Sequence, residues 1–473
     1  MNAGRAIVAD DRLAIVAEQR WTHGELRAAA ARVARRLLAG RADLDEARVA
    51  VVAQPGCALA ATLRGIWLAG GVAVPLAVDH PPAEHAYVIQ DAEATLVDAD
   101  ALIAEGPDGP PVTLPAVDPE RRALIVYTSG TTGRPKGVVT THATITAQVD
   151  SLLEAWGWRP DDRMLLALPL HHVHGLINGF TCPLAIGAAC EMLPRFDAEA
   201  VWARMASGAV TMFTGVPTMY QRLVASWDAA SPEEQERRSA GARGMRLMMA
   251  GSAALPVPLF ERWQAITGHA LLERYGMTEI GMALSNPLDG LRQPGMVGTP
   301  LPGVEVRLVG DDDIVVMEEA TPGEVQVRGA TVFREYWRRP DETRRTFDGD
   351  WFRTGDVAQV EQGAYRILGR SSVDIIKTGG YKISALEVEA VLRQHPAVAD
   401  VAIVGLPDPE WGERVAAAVE LREGAQVTLE SLQALAREQL APYKLPRALV
   451  TSGALPRNGL GKVVKPQVKE LFR

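Results

Sequence analysis

Cysteine is scarce in this chain: three residues in 473, at positions 57, 182 and 190, with no C-x-x-C pair. All three sit in apolar surroundings. They are expected to be small core residues in a reducing compartment, and no disulfide framework is needed. Positive charge is not in excess. The net charge is −9 and the pI about 5.6, and no basic arm or aromatic-plus-basic stripe occurs, so nucleic acid is not an expected partner. An acidic protein does not draw anions by its overall field, so any anion site must be built locally. No run of about eighteen apolar residues exists, so no membrane span is expected. The opening Met1-Asn-Ala-Gly-Arg-Ala-Ile7 lacks an apolar secretory segment, and no organelle-targeting extension is evident; the expected location is cytoplasmic. What is present is ordinary globular composition, 47% hydrophobic and 23% charged, in a chain long enough for two or more domains.

Thr22-His-Gly-Glu25 has the form of a capping box, leading into a helix over 26–38 that stops at Gly40. Strands are expected at 47–53, 71–76, 163–168 and 210–214, and helices at 57–69, 144–156 and 198–206. Such alternation implies parallel or mixed sheets covered by helices, with ligands at the carboxyl ends of strands. Past residue 300 short alternating runs at 304–309, 314–317 and 324–328 read as antiparallel strands. A second capping-box pattern, Ser384-Ala-Leu-Glu387, opens a small α+β unit. The boundary is expected at 369/370, giving an N-terminal domain 1–369 and a C-terminal domain 370–473.

The densest chemical signal is Tyr127-Thr-Ser-Gly-Thr-Thr-Gly-Arg-Pro-Lys-Gly137. An apolar strand, Ala123–Tyr127, empties into a loop of bare N–H groups, hydroxyls and one lysine, the parts that hold a polyphosphate. The Walker pattern fails, because Lys136 is followed by glycine.

Four further elements follow in order: Tyr275-Gly-Met-Thr-Glu279, Trp351-Phe-Arg-Thr-Gly-Asp356, Gly369-Arg370 and Pro456-Arg-Asn-Gly-Leu-Gly-Lys462. This series, spanning essentially the whole chain, resembles the adenylate-forming superfamily of acyl-CoA synthetases, adenylation domains and luciferases. Leu168-Pro-Leu-His-His-Val-His-Gly175, Gly251-Ser-Ala-Ala-Leu-Pro256, Leu272–Glu279 and Asp374–Lys382 are similar to malonyl-CoA synthetases in particular. The resemblance implies a large N-terminal α/β domain with a small β-barrel-like part, and a small mobile α+β C-terminal domain. It implies ATP, Mg2+ and coenzyme A as cofactors or co-substrates, and a malonyl-adenylate on the way to malonyl-CoA, AMP and pyrophosphate. It also implies a junction, Arg370–Asp374, about which the small domain turns between half-reactions. A CoA ligase for another small carboxylic acid, and a stand-alone adenylation module that loads a carrier protein, are the alternatives. Oligomeric state is left open.

By the same resemblance, Thr128, Ser129, Gly130, Thr131, Thr132, Gly133 and Lys136 cradle the β- and γ-phosphates. Thr278 meets the α-phosphate, and Glu279, with Thr128, holds the metal ion. Asp356 accepts from the ribose hydroxyls, and Arg370 reaches the nucleotide. Glu273, Tyr275 and Gly276 line the nucleotide site. Lys377, Gly379 and Gly380 serve the nucleotide and CoA side. Lys462 bridges carboxylate and phosphate during adenylation.

Arg274 points to the acid. A guanidinium in the apolar stretch before the active-site loop is costly to bury unpaired. A dicarboxylate offers a partner: one end reacts while the other pairs with Arg274. If 272–275 is extended, Glu273 faces the other way and cannot be that partner. Ser252 is a second donor to the same carboxylate. His172 is expected to line the acyl and CoA side, with His171 beside it suiting a malonyl group. Thr211, Met212 and Met282 are expected to bound a small pocket. His171, His172 and His174 lack a nearby cysteine or acid to complete a metal site.

Overall fold

The computed structural model describes residues 8–104, 113–128, 134–378, 381–457 and 463–473. The chain groups into two compact units, Met1–Val306 with Val327–Phe352, and Arg307–Gln326 with Arg353–Arg473. This is the expected architecture: a large unit of mixed sheets and a small α+β unit.

The first helix shows how local sequence sets the frame. Thr22 Oγ1 accepts from the Glu25 N–H while the Glu25 carboxylate accepts from the Thr22 N–H, so the reciprocal box forms. Leu26, Ala29, Ala30, Val33, Ala34 and Leu38 then fall on one buried face of His23–Leu38. The second box forms only by half. Ser384 Oγ caps the Glu387 N–H, but the Glu387 carboxylate takes Lys444 Nζ at 2.6 Å instead of the cap N–H. A full ion pair with the lysine prevails over the bond to the uncharged N–H donor.

The large unit carries two sheets. One has nine strands in the order Thr299–Pro300, Gly281–Ser285, Leu272–Met277, Leu247–Ala250, Met212–Gly215, Arg163–Leu166, Ala189–Met192, Leu13–Val16 and Arg20–Thr22. The other has six: Glu335–Tyr336, Lys136–Thr141, Arg122–Thr128, Val72–Leu76, Arg48–Val52 and Thr95–Val97. One face of the nine-stranded sheet is covered by a core in which Trp202 stacks on Trp263 at 5.4 Å and Tyr220 meets Trp263 edge-on. Cys57, Cys182 and Cys190 are free and buried, and desolvation pushes the Cys57 thiol up to about 12. A smaller five-stranded sheet includes Val304–Val309, Gly323–Gly329 and Trp351–Glu361, and the division between units falls inside these strands. Residues 314–317, expected as a strand, contribute only an isolated bridge from Val315 to Val309.

The small unit pairs Tyr381–Ser384, Ile375–Thr378, Gly412–Leu421, Val398–Asp408 and Ala448–Ser452 in one sheet. Helix Ala385–Leu392 packs on it through Val388 and Leu392.

Candidate active site

Leu272–Met277, Leu247–Ala250, Met212–Gly215 and Arg163–Leu166 are neighbours and run parallel. Their carboxyl ends therefore form one rim, the place where such sheets take ligands. Arg274 lies in the first of them. Extended geometry puts it opposite in direction to Glu273, whose Oε1 accepts from the Gly295 N–H at 3.0 Å.

Arg274 is 3% exposed. Among the described residues, no acid pairs with it, and its Nε and Nη2 have no hydrogen-bond partner. Desolvation lowers its pKa to about 10, partly offset by the nearby Tyr220. The guanidinium thus stays cationic at neutral pH. Tyr220 is itself held neutral by burial and donates to the Met249 carbonyl at 2.7 Å. Gly251 follows the adjacent strand, and a Cβ there would press into the Arg274 guanidinium. Close approach of backbone and cation therefore requires glycine.

The next groups come from the other two strands. His174 stands 3.0 Å from Ser252 Oγ through Nδ1 and 2.7 Å from Thr214 Oγ1 through Nε2. Burial first, then the charge of Arg274, then His172, hold His174 well below the ordinary histidine range, so it is neutral. Ser252 adopts φ +68°, a left-handed conformation that a non-glycine residue adopts at a cost. His174 opens a π-helix, His174–Thr181, a rare geometry concentrated at functional sites. Arg274 and Ser252 are thus brought together, and His174 and Thr214 join them. His172 is half-buried, its ring 4.1 Å from that of His171. Burial, with His172 and His80, lowers His171 to about 3.

Thr211 is not brought to this group. It precedes its strand, where its hydroxyl donates to Asp162 Oδ1 and accepts from the Arg163 N–H, both at 2.9 Å. Three residues of strand, about 10 Å, separate it from Thr214 at the ligand end. Met212 lies next to Arg246 at that same far end. Met282 lies opposite Gly276 in the Leu272–Met277 and Gly281–Ser285 hairpin, its Cε over the glycine.

Thr278 and Glu279 form the turn of that hairpin. Glu279 is 6% exposed; its carbonyl accepts from the Phe333 N–H at 2.7 Å and its Oε1 from the Tyr336 hydroxyl at 2.8 Å. In the six-stranded sheet Thr128 pairs with Lys136 across Arg122–Thr128 and Lys136–Thr141. Ser129, Gly130, Thr131, Thr132 and Gly133 lie outside the described residues. Lys136 Nζ reaches Glu342 Oε1 at 2.6 Å and stands 4.4 Å from the Tyr336 ring centroid.

In the small unit Asp356 and Arg370 face each other across two strands, joined by an Arg370 Nε to Asp356 Oδ1 bond of 2.8 Å. The Arg370 N–H donates to Asp374, which also holds buried Lys465 at 2.6 Å; Lys465 reaches Glu389 at 2.9 Å. Lys377 is exposed and lies 3.5 Å from Asp311. Gly379, Gly380 and Lys462 lie outside the described residues. The chain on either side of Lys462 is pinned: Arg457 bridges to Val463 and pairs with Asp400 at 2.6 Å.

Residues 5–108 and 96–337 match the model of the AMP-binding enzyme, and 387–462 match the AMP-binding enzyme C-terminal domain. The chain belongs to the AMP-binding enzyme family. It is 44% identical to a mitochondrial malonate–CoA ligase of Bos taurus, over 99% of this chain and 90% of that one. ATP-bound MatB from Rhodopseudomonas palustris superposes with a TM-score of 0.86 at 32% identity, covering 98% of this chain and 97% of the other. A malonyl-CoA ligase with methylmalonyl-CoA and AMP bound superposes at 0.69 and 38% identity, covering 96% and 99%.

These relatives correct the cytoplasmic location expected above. The ligases of Bos taurus, Mus musculus and Homo sapiens are named as mitochondrial. Scarce cysteine reports a reducing medium, not an address.

Proposed function

We infer that this AMP-binding enzyme joins malonate to coenzyme A, using ATP and passing through a malonyl-adenylate, with AMP and pyrophosphate as the other products. Methylmalonate, one methyl larger, is proposed as a second substrate. The observation that carries the reading is Arg274: a buried cation with unsatisfied donors and no acid partner among the described residues, at the carboxyl-end rim of the sheet. A short diacid supplies what is missing. The malonate–CoA ligase names among its relatives support the same acid.

The chemistry sets two negative groups against each other, a carboxylate and the α-phosphate, so cations and positioning matter more than acid or base groups. Arg274 takes the idle carboxylate, with Ser252 and neutral His174 beside it. Lys136, with the loop it closes, takes the β- and γ-phosphates, and Thr278 the α-phosphate. Asp356 accepts from the ribose hydroxyls, next to Arg370. Lys462 draws the reacting carboxylate and the phosphate together. The thiol of CoA then attacks the acyl carbon and AMP leaves. Gly369 supports a junction at 369/370: its φ of +124° is open to glycine, and a Cβ would meet the Asp374 side chain.

Mg2+ fits Glu279 in part. Among the described residues no three His, Cys, Asp or Glu could hold a metal unaided, so the ion would share Glu279 and the Thr128 hydroxyl with phosphate oxygens and waters. Its contribution when bound is neutralisation of phosphate charge.

The deciding experiment measures CoA consumption with malonate, methylmalonate, succinate, acetate and octanoate. Malonate should be turned over far faster than acetate and octanoate; comparable rates with acetate would overturn the assignment. Asp356→Ala should raise the KM for ATP by about tenfold to a hundredfold, the loss of hydrogen bonds to a charged acceptor. An unchanged ATP dependence would remove Asp356 from the ribose site.

A further inference from the structure

Glu342 lies in the short helix Pro340–Arg345, a segment with no expected role, yet it holds the lysine of the phosphate loop. Three observations make this contact more than a surface ion pair. First, Lys136 is framed. Its ammonium stands 4.4 Å from the Tyr336 ring centroid, a cation–π contact that adds to the hold of Glu342. The Tyr336 ring is itself set by strand pairing of Tyr336 with Val138, by its N–H on Thr343 Oγ1 at 3.0 Å, and by its hydroxyl on Glu279.

Second, the framework is shared with the metal carboxylate. The same tyrosine presents its face to Lys136 and its hydroxyl to Glu279, so the two groups assigned to the polyphosphate end of ATP are set by one side chain. Third, Glu342 has a spare partner. Arg339 Nη1 stands 3.6 Å from Glu342 Oε2, while Lys136 uses Oε1. If Lys136 turns to a phosphate, Glu342 is not left as an unpaired charge. The exchange is therefore cheap, and its cost is the Lys136–Glu342 bond itself.

We propose that Glu342 is a positioning residue for nucleotide binding: it holds Lys136 in place of the polyphosphate, and ATP must displace it. Glu342 thereby sets the ATP affinity from below, keeping the loop lysine ordered and away from other anions at the expense of tightness. The proposal rests on the reading of Lys136 as a phosphate contact.

The test is calorimetric titration of ATP, without malonate, into the full-length enzyme and its Glu342→Gln, Lys136→Ala and doubly substituted forms. Glu342→Gln keeps the side chain's size and removes its charge. It should lower the Kd by about one-and-a-half-fold to fivefold, the range of a partly exposed ion pair. Lys136→Ala should raise the Kd, and adding Glu342→Gln to it should change nothing more. A merely structural role for Glu342 would weaken ATP binding, not strengthen it. Unchanged or weaker binding by Glu342→Gln, with Lys136→Ala weakened as expected, overturns the proposal alone. An unchanged Kd for Lys136→Ala overturns the phosphate reading of Lys136 and the proposal with it. Melting curves of the three variants identify any that is misfolded. For a misfolded Glu342→Gln, Glu342→Asp takes its place: it keeps the charge but shortens the reach, and should also tighten ATP binding.

Discussion

Lys462→Ala is expected to depress malonate-dependent pyrophosphate exchange by about a hundredfold to a thousandfold, the scale of one lost transition-state contact. Thioester formation from supplied malonyl-AMP should survive. The asymmetry follows from charge. Adenylation brings together a carboxylate and a phosphate, and a cation between them is worth most when both are negative. Thiol attack on the finished adenylate has no such conflict. Of the described residues flanking it, Arg457 bridges to Val463, and Lys465 is buried between Asp374 and Glu389. Measuring both half-reactions on one preparation decides the matter. Equal loss in the two would contradict the role.

Arg274→Met has the other large effect. Removing one partner of a buried charge-assisted pair costs about 2–5 kcal/mol, so malonate kcat/KM should fall roughly thirtyfold to several-thousandfold. Acetate, which has no second carboxylate, should change little. The ligand-free protein should not suffer, because an apolar chain does not carry the desolvation cost of a buried charge that has no acid partner. The two readouts together separate function from damage: lower malonate turnover with an equal or higher melting temperature. Normal malonate turnover in this variant would end the dicarboxylate reading, leaving a CoA ligase for some other acid.

The sequence made the rim legible where a residue's chemistry conflicted with its surroundings. Arg274 stood out because a guanidinium sat in an apolar strand, and strand alternation alone separated it from Glu273. It failed where residues of one type recur. Thr211 and Thr214 are close in sequence, and nothing in the pattern shows which lies at the carboxyl-end rim; the topology puts Thr214 there, beside His174, and fastens Thr211 to Asp162. Among His171, His172 and His174 the choice depends on a π-helix, whose period matches neither a strand nor an α-helix. Tyr336 and Glu342 gave no signal at all. Glu342 meets Lys136 across 206 positions, and only the pairing of Glu335–Tyr336 with Lys136–Thr141 brings them together. Half of the Ser384 box was misjudged for a similar reason, since Lys444 is distant in sequence.

Arg274 and Thr214 lie within strands, whereas Ser252 follows the end of a strand and His174 opens a π-helix, and His174 hydrogen-bonds both Ser252 and Thr214. Ser252, His174 and Thr214 therefore form one coupled unit: replacing His174 would strip a partner from both neighbours, so these positions are expected to change together rather than one at a time.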